Sequence, residues 1–298
     1  MFLEYTSLII PTKDRPKSLK NLIESIEGLI SKLNEIIIID SSNKENLEFT
    51  KKFVSKFKNV KLIKSAPSIS EQRNLGIENC NMENKFLMFC DDDIIFEKDS
   101  INIMNDFIHS NENYLGYGFN LIEDYKESFF DNLKKHKFLE KIGLYNSKPG
   151  VVCENGWHTK NCNLVKNLET NWLSTQACIY RSSVFKDSKF DTTLGKYSYL
   201  EDLFFSYNVF KKGKLYICSK AKYNHKNSIN RTNFSFGVQE VINRHKFVKM
   251  NNFNIKKFYL TMIIKTILSL INVFIGRIYY FPKFLGNFLG IFLCISKK

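Results

Sequence analysis

The sequence predicts a doubly wound α/β fold, a mostly parallel sheet with helices on both faces, followed by an amphipathic helical tail. Three observations carry this. Short apolar runs alternate with stretches of helical spacing through the first ninety residues. Several of those runs are continuously apolar, as in strands covered on both faces. From Phe234 onward the pattern stays helical while the composition turns apolar and basic.

Residues 6–10 (TSLII) form the first strand-like run, ended by Pro11. A polar loop over 12–15 follows, and Pro16 suits the first turn of a helix, where its missing N–H is no loss. Leu19, Leu22, Ile23, Ile26, Leu29 and Ile30 then recur at helical spacing. Residues 35–39 (EIIII) read as a fully buried strand that stops at Asp40. A helix carrying Phe49, Phe53, Val54 and Phe57, a strand over 60–63, a helix over 70–80 and a buried strand over 86–89 complete the series. This β-α-β-α-β-α-β order with short connections implies right-handed crossovers. Ligands of such sheets bind beyond the carboxyl ends of the strands. The polar clusters at 12–15, 40–43 and 91–93 all fall at those ends, so they are expected to converge. Farther on, a charged helical stretch over 126–141 and a loop over 146–163 read as insertions beside an acceptor. Residues 175–180 and 215–218 read as strands, and 199–211 as a helix.

The net charge of +14 is confined to the second part of the chain. After Asp202 there are seventeen Lys and Arg against one acid, Glu240. A basic, apolar half calls for a polyanionic partner, and its apolar character favours anionic lipid over nucleic acid. The seven cysteines are odd in number and show no CxxC spacing. That excludes a disulfide framework and a zinc site and points to a reducing cytoplasm. The chain starts directly in a strand-like run, so no signal peptide is expected.

Residues 258–295 are strongly apolar but interrupted by Lys265, Arg277, Pro282 and Lys283. No uninterrupted run reaches the ~18–20 residues that cross a bilayer. Flanking Lys256, Lys257, Lys297 and Lys298, with Tyr259, Tyr279, Tyr280 and Phe281, suit an interfacial helix pair. A buried C-terminal helix packed on the core is the alternative. The expected division is a catalytic domain over 1–232 and a membrane-associating tail over 233–298.

Asp91, Asp92 and Asp93 follow a buried strand. Adjacent carboxylates there repel one another unless a cation such as Mg²⁺ or Mn²⁺ sits among them and bridges to a diphosphate; an acidic turn capping a helix is the other reading. Glu201 and Asp202 open a helix, where acids also complement the helix dipole; the functional reading is a general base for an acceptor hydroxyl. Asp14 and Asp40 end the first two strands, as nucleobase or ribose acceptors or as caps and turn residues. Arg73 suits a diphosphate or a surface ion pair.

The order of these pieces resembles the GT-A-fold family 2 glycosyltransferases. The matching stretches are SLIIPTKDRPKSL, EIIIIDSSN, SISEQRNLGI, FLMFCDDDIIFEKD, WLSTQACIYRSSVF and YLEDLFFSYNVFKKGKLYICSKAKYNH, and the likeness covers roughly residues 5–228. The resemblance implies a Rossmann-like sheet and a nucleotide-sugar donor, a UDP-sugar being favoured. It implies Thr12, Asp14, Asp40 and Arg73 as nucleotide contacts and Asp91, Asp92 and Asp93 as the DxD motif. Asp93 would be the main metal ligand and Asp92 nearer the ribose, with Asp91 and His225 also at the metal. Asp202 would be the catalytic base and Glu201 its neighbour. Trp172, Ser174 and Gln176 would face the acceptor or donor sugar.

Departures from the family pattern are Asp-Ser-Ser at 40–42, Asn208 where many members have Arg, and Thr175-Gln176-Ala177 in place of a glycine-rich stretch. The QxxRW motif of processive synthases is missing after Asp202, which implies one sugar per event. The implied reaction is inverting transfer to a saccharide or lipid-linked acceptor in bacterial surface polysaccharide synthesis, with the enzyme peripheral at the inner membrane face. A nucleotidyltransferase and a non-catalytic scaffold are the competing readings. The first lacks a glycine-rich phosphate loop; the second does not need Asp93 and Asp202.

Overall fold

The structure, a computed structural model, describes residues 2–123, 137–195, 198–225 and 231–296. Contacts group the chain into two compact units. The first joins Met1–Asp124 to Asn161–Asn227, and the second joins Tyr125–Lys160 to Ser228–Lys298.

The first unit is an α/β layer structure. Strands β1 (Thr6–Thr12), β2 (Glu35–Asp40), β3 (Val60–Lys64) and β4 (Phe86–Cys90) form a parallel block. Helices α1 (Pro16–Ser25), α3 (Lys44–Val54) and α4 (Ile69–Glu78) connect them, with a single extra turn, α2 (Glu27–Ile30), after α1. The chain continues through β5 (Ile94–Phe96), α5 (Ser100–His109), β6 (Gly116–Ile122), β7 (Leu168–Thr170), β8 (Ala177–Arg181) and, after α7 (Glu201–Phe210), β9 (Leu215–His225). The sheet order is β3-β2-β1-β4-β8-β6-β9-β5, with β7 on β9. Strand β8 runs antiparallel to β4 and β6, so the parallel block gives way to a mixed half.

The unbroken isoleucine run has a direct cause. Successive strand side chains point to opposite faces. Ile36 and Ile38 enter one apolar cluster with Leu8 and Ile10, and Ile37 and Ile39 enter the other with Ile9. Both faces are covered, so every position must be apolar. The register Thr12↔Asp40↔Lys64 brings the carboxyl ends of β1, β2 and β3 level. The two three-residue strands β5 and β7 lie below the length at which a period shows in sequence.

The second unit is helical, with α6 (Lys137–Lys141), α8 (Phe234–Met250), α9 (Ile255–Phe274) and α10 (Phe281–Ser296). The charged stretch expected to be helical over 126–141 lies outside the described residues up to 136, as do Lys297 and Lys298. Asn233 caps α8 by accepting from the Phe236 N–H, and Asn254 caps α9 by accepting from Lys256 and Lys257.

Helices α8 and α10 cross in backbone contact. A Cβ on Gly286 would lie 2.2 Å from the Phe234 carbonyl oxygen, and one on Gly290 would lie 2.8 Å from Val241 Cβ. This Gly-x-x-x-Gly spacing lets two helix backbones approach, as it does between membrane helices.

Charge inside this unit is paired. Glu240, 1% exposed, takes Lys265 and, at 3.3 Å, Lys283. Arg244 donates to the Gly156 carbonyl and lies 4.1 Å from the Trp157 ring centre, and Lys265 lies 4.0 Å from the same ring. The lysines counted in the sequence as interruptions of the tail are thus turned inward. Helices Ile255–Phe274 and Ile278–Ser296 are each long and apolar enough to cross a bilayer by length and composition, with mean hydropathy 1.5. Of the four residues that break the apolar run, Lys265 and Lys283 turn to Glu240, while Arg277 and Pro282 are exposed between the two helices and at the start of the second.

Candidate active site

At the carboxyl ends of β1 and β2 the backbone is tied down by residues that carry no obvious chemistry. Gln72 of α4 is buried and its Nε2 donates to the carbonyls of Thr12 at 3.0 Å and Ile39 at 2.8 Å. Asp40 is fully buried; its Oδ1 accepts from the Ser42 N–H at 2.7 Å, and its Oδ2 has no hydrogen-bond partner. The cap of α3 is Asn43, not Asp40. Asp14 sits in the left-handed region, φ 52°, and its N–H donates to Ser42 Oγ at 2.6 Å. Its Oδ1 accepts from the Asn43 N–H at 2.9 Å and from Asn46 Nδ2 at 3.2 Å, and these bonds lower its pKa. Asp14 and Asp40 thus flank Ser42, and Asp40 Oδ2 is a buried acceptor left over there.

The acidic triplet leads into β5, so it caps no helix. Asp92 is completely buried, accepting from Thr12 Oγ1 at 2.6 Å and pairing with Arg15 at 2.8 Å. Burial lifts its pKa to about 7 against the pull of Arg15. Asp93 receives Arg15 Nη1 at 2.5 Å on one oxygen and faces His225 Nε2 at 3.2 Å with the other. That contact raises the His225 pKa above 6.5. His225 is the last residue of β9 and pairs with Ile94, the first of β5, so the ladder itself delivers the imidazole to the triplet.

Arg73 joins the triplet to the second acidic pair. It is 2% exposed, with Nη2 donating to Asp91 Oδ1 at 2.7 Å and Nη1 to Glu201 Oε1 at 2.5 Å. Burial works against its charge, but Glu201 and Asp91 outweigh that and its pKa is raised. For Glu201 burial wins over Arg73, and its pKa stands above the usual carboxylate range. Asp91 is raised by burial in the same way. Thr175 Oγ1 also donates to Glu201, at 3.2 Å. The pair opens α7 after a turn in which Ser198 (φ 47°) and Leu200 (φ 74°) are both left-handed. Such strain in non-glycine residues persists where the surroundings hold it in place, and it concentrates at functional sites. Asp202 follows Glu201 in the first turn, half-buried, with Arg73 near enough for its charge to be felt.

Gln176 lies beside the triplet, its carbonyl accepting from the Asp91 N–H at 3.0 Å and its side chain from the Tyr223 hydroxyl at 3.2 Å. Ser174 Oγ accepts from the Gln176 N–H at 3.4 Å. Trp172, a little earlier, is 7% exposed and its carbonyl is held by Asn161 and Thr170. Arg15, Gln72 and Tyr223 join the site without having been assigned a role from sequence, and Ser42 and Thr175 stood out there only as departures from the family pattern. Arg15 carried a signal in its charge, between one acid and a proline. The others lie in the matching stretches too, but they act through neutral side chains, which carry no charge or spacing signal.

Among the described residues, no three His, Cys, Asp or Glu side chains are grouped so as to hold a metal ion together. The donor set is nevertheless of the right kind. Asp93 and His225 supply a hard oxygen and an imidazole nitrogen in contact, Asp91 stands two residues from Asp93, and Arg15 occupies the cation's place on Asp93.

A parallel block feeding a mixed half-sheet, with an acidic triplet at the strand ends and a second acidic pair tied to it by a buried arginine, defines a GT-A fold. The family model described as Glycosyl transferase family 2 matches residues 7–188. The chain belongs to glycosyl transferase family 2. Its fold is similar to the crystal structure of S. aureus TarS 1-349, with TM-score 0.56 and 16% identity over 86% of this chain and 71% of that one. It is also similar to GalNAc-T7, crystallised with UDP, GalNAc and Mn²⁺, with TM-score 0.57 and 13% identity over 76% of this chain and 44% of that one. TarS 1-349 with UDP-GlcNAc gives TM-score 0.55 and 13% identity over 82% of this chain and 65% of that one. The matched region spans 43% of the longer TarS chain. No curated protein matches the sequence.

Proposed function

We propose that this chain moves a sugar from a UDP-sugar to an acceptor hydroxyl, with inversion and one sugar per event. The observation that carries the reading is the Asp91–Arg73–Glu201 bridge, which holds the two acidic clusters of the sequence in one site. Solved structures of similar fold that contain UDP and UDP-GlcNAc support the donor class.

Asp40 Oδ2, buried and without a partner, suits the N–H of a uracil ring, with Asp14 and Thr12 at the same strand ends. Asp202 takes the acceptor proton. The acceptor oxygen bonds to the anomeric carbon as the bond to the diphosphate oxygen breaks, and UDP leaves with the electron pair. Glu201 and Arg73 tie the first turn of α7 to Asp91, which supports Asp202 on that turn as the base. Trp172, Ser174 and Gln176 line the sugar end. A divalent cation, Mn²⁺ or Mg²⁺, held by Asp93 and His225 beside Asp91, would neutralise charge on the leaving diphosphate; Mn²⁺ accompanies UDP in the GalNAc-T7 structure.

General-base removal costs roughly 10²–10⁴-fold in rate. Asp202→Asn is expected to keep the thermal shift given by UDP with Mn²⁺ and to lose transfer by that factor. Wild-type turnover in this variant would end the assignment of the base. No UDP-dependent shift in the wild-type chain, with or without Mn²⁺, would end the donor assignment.

The same reading puts the chain at the inner face of a membrane, in the cytoplasm, with a saccharide or lipid-linked acceptor of surface polysaccharide synthesis; the exposed apolar side chains of the second unit support the membrane contact alone. Leu260, Ile263, Ile267, Phe274, Phe288 and Phe292 are all exposed on α9 and α10, while Lys265 and Lys283 turn to Glu240. Co-flotation of the full chain with phosphatidylcholine vesicles containing phosphatidylglycerol tests this. A chain that stays at the bottom of the gradient and needs no detergent would refute it.

A further inference from the structure

Polarity in the second unit is inverted. On α9, Leu260, Ile263 and Ile267 are 45%, 46% and 51% exposed, while Thr266, Ser269 and Asn272 are buried. On α10, Phe288, Phe292 and Ile295 are exposed, while Asn287 is fully buried. Steps of three and four residues keep each exposed set on one face of its helix. In water a helix turns its apolar face to the core. Here two successive helices turn it outward, as a helix in contact with hydrocarbon does. The buried sides of both meet α8, since Lys265 of α9 and Lys283 of α10 reach the same carboxylate, Glu240. The two apolar faces therefore lie together, on the side away from α8.

Length and composition would let either helix cross a bilayer, and α8 decides against it. It runs beside α10 in the same direction. Gly237 lies against Lys283 and Asn287, Val241 against Gly290, and Ile242 and His245 face one groove with Leu293 and Cys294. An α10 that crossed would carry α8 into the hydrocarbon with it. Yet α8 leaves Ser235 and Lys249 exposed and Gln239 and His245 half-buried, and polar groups facing acyl chains are costly. We propose that α9 and α10 lie side by side in the plane of one leaflet, their apolar faces among the acyl chains and α8 over them on the water side. The exposed turn at 275–279 then stays on the same side of the membrane as α8. This rests on the membrane reading above and adds that the helix pair is embedded and does not cross.

The test uses the full chain expressed in bacterial cells. Its membranes, washed with alkaline carbonate, are expected to retain the protein. Ile267→Asp/Phe292→Asp places charge in both apolar faces and is expected to move most of it to the wash. Phe49→Asp, at an exposed position of α3, is expected to stay with the membrane. Both variants are compared after circular dichroism shows wild-type helix content. Tyr279, 60% exposed in the turn, reports on topology. In Tyr279→Cys a membrane-impermeant maleimide is expected to label above the wild-type level in inverted vesicles and not in intact spheroplasts. Labelling in intact spheroplasts would show that the pair crosses and would overturn the proposal. Release of the wild-type chain by carbonate, or full retention of the double Asp variant, would overturn the embedding. Flotation is scored separately, so a chain that floats yet is released by carbonate refutes the embedding while sparing the membrane contact.

Discussion

Arg73 is the residue that joins the two acidic clusters of the first unit. Its guanidinium bonds two carboxylates, both raised in pKa by burial, and its Nε has no partner of its own. Removing one member of a buried ion cluster leaves the others desolvated and unpaired, which costs roughly 3–5 kcal/mol. Arg73→Met is therefore expected to lose that much in urea unfolding. Arg73→Lys is expected to lose less, because a point charge can hold one carboxylate but lacks the fork that spans two. Equal stability of the Met variant would show that the bridge does not form. Arg15 stands differently, with its side chain 45% exposed and its guanidinium at the place a cation would take. Arg15→Gln is expected to lower, several-fold, the Mn²⁺ concentration that gives half the UDP-dependent thermal shift. An unchanged concentration would show that arginine and metal do not compete.

At the scale of elements, the crossing of α8 and α10 depends on missing side chains. Gly286 faces a carbonyl oxygen that cannot swing aside, so Gly286→Ala must push the two helices apart. Overpacking of this kind costs roughly 1–3 kcal/mol. Gly28→Ala is the matched control, because a Cβ there meets nothing within 4 Å and the backbone of α2 gains from the loss of glycine's freedom. Thermal denaturation of the pair should separate them clearly, the first melting lower and the second no lower than wild type. The strands of the first unit were readable at this scale because two-sided burial writes an unbroken apolar run. The turn before α7 was not, since nothing in Ser198 or Leu200 announces a left-handed backbone.

At the scale of the whole molecule, basic charge and apolar surface gather in the second unit, and Glu240 is the acid at its centre. Burial alone would raise its pKa, but Lys265, Lys283 and Arg244 hold it at about 2, against an ordinary 4.5. A depressed carboxylate stabilises the fold above its unfolded pKa and loses that contribution as pH falls through its folded one. A shift of this size corresponds to about 3 kcal/mol, fully present above pH ~5 and gone near pH 2. Trp157, packed against Arg244 and Lys265, reports on it. In a Trp172→Phe background its fluorescence should show the second unit loosening between those pH values, and Glu240→Gln should remove that pH dependence. Persistence of the same acid transition in the Gln variant would assign it to another group.

The parallel block, the acidic clusters at its strand ends and the basic, apolar tail are legible along the chain, because each is written in neighbouring residues as a run, a triplet or a charge excess. It takes the folded chain to bring Arg73 between Asp91 and Glu201, residues 110 positions apart, and Arg15 onto Asp92 and Asp93. The same holds for Lys265 and Lys283, which face inward to Glu240 although the sequence shows them as interruptions of the tail. Local pattern records which face a residue presents along its own helix or strand. Which partner waits on that face depends on the path of the chain, and no short stretch of sequence contains it.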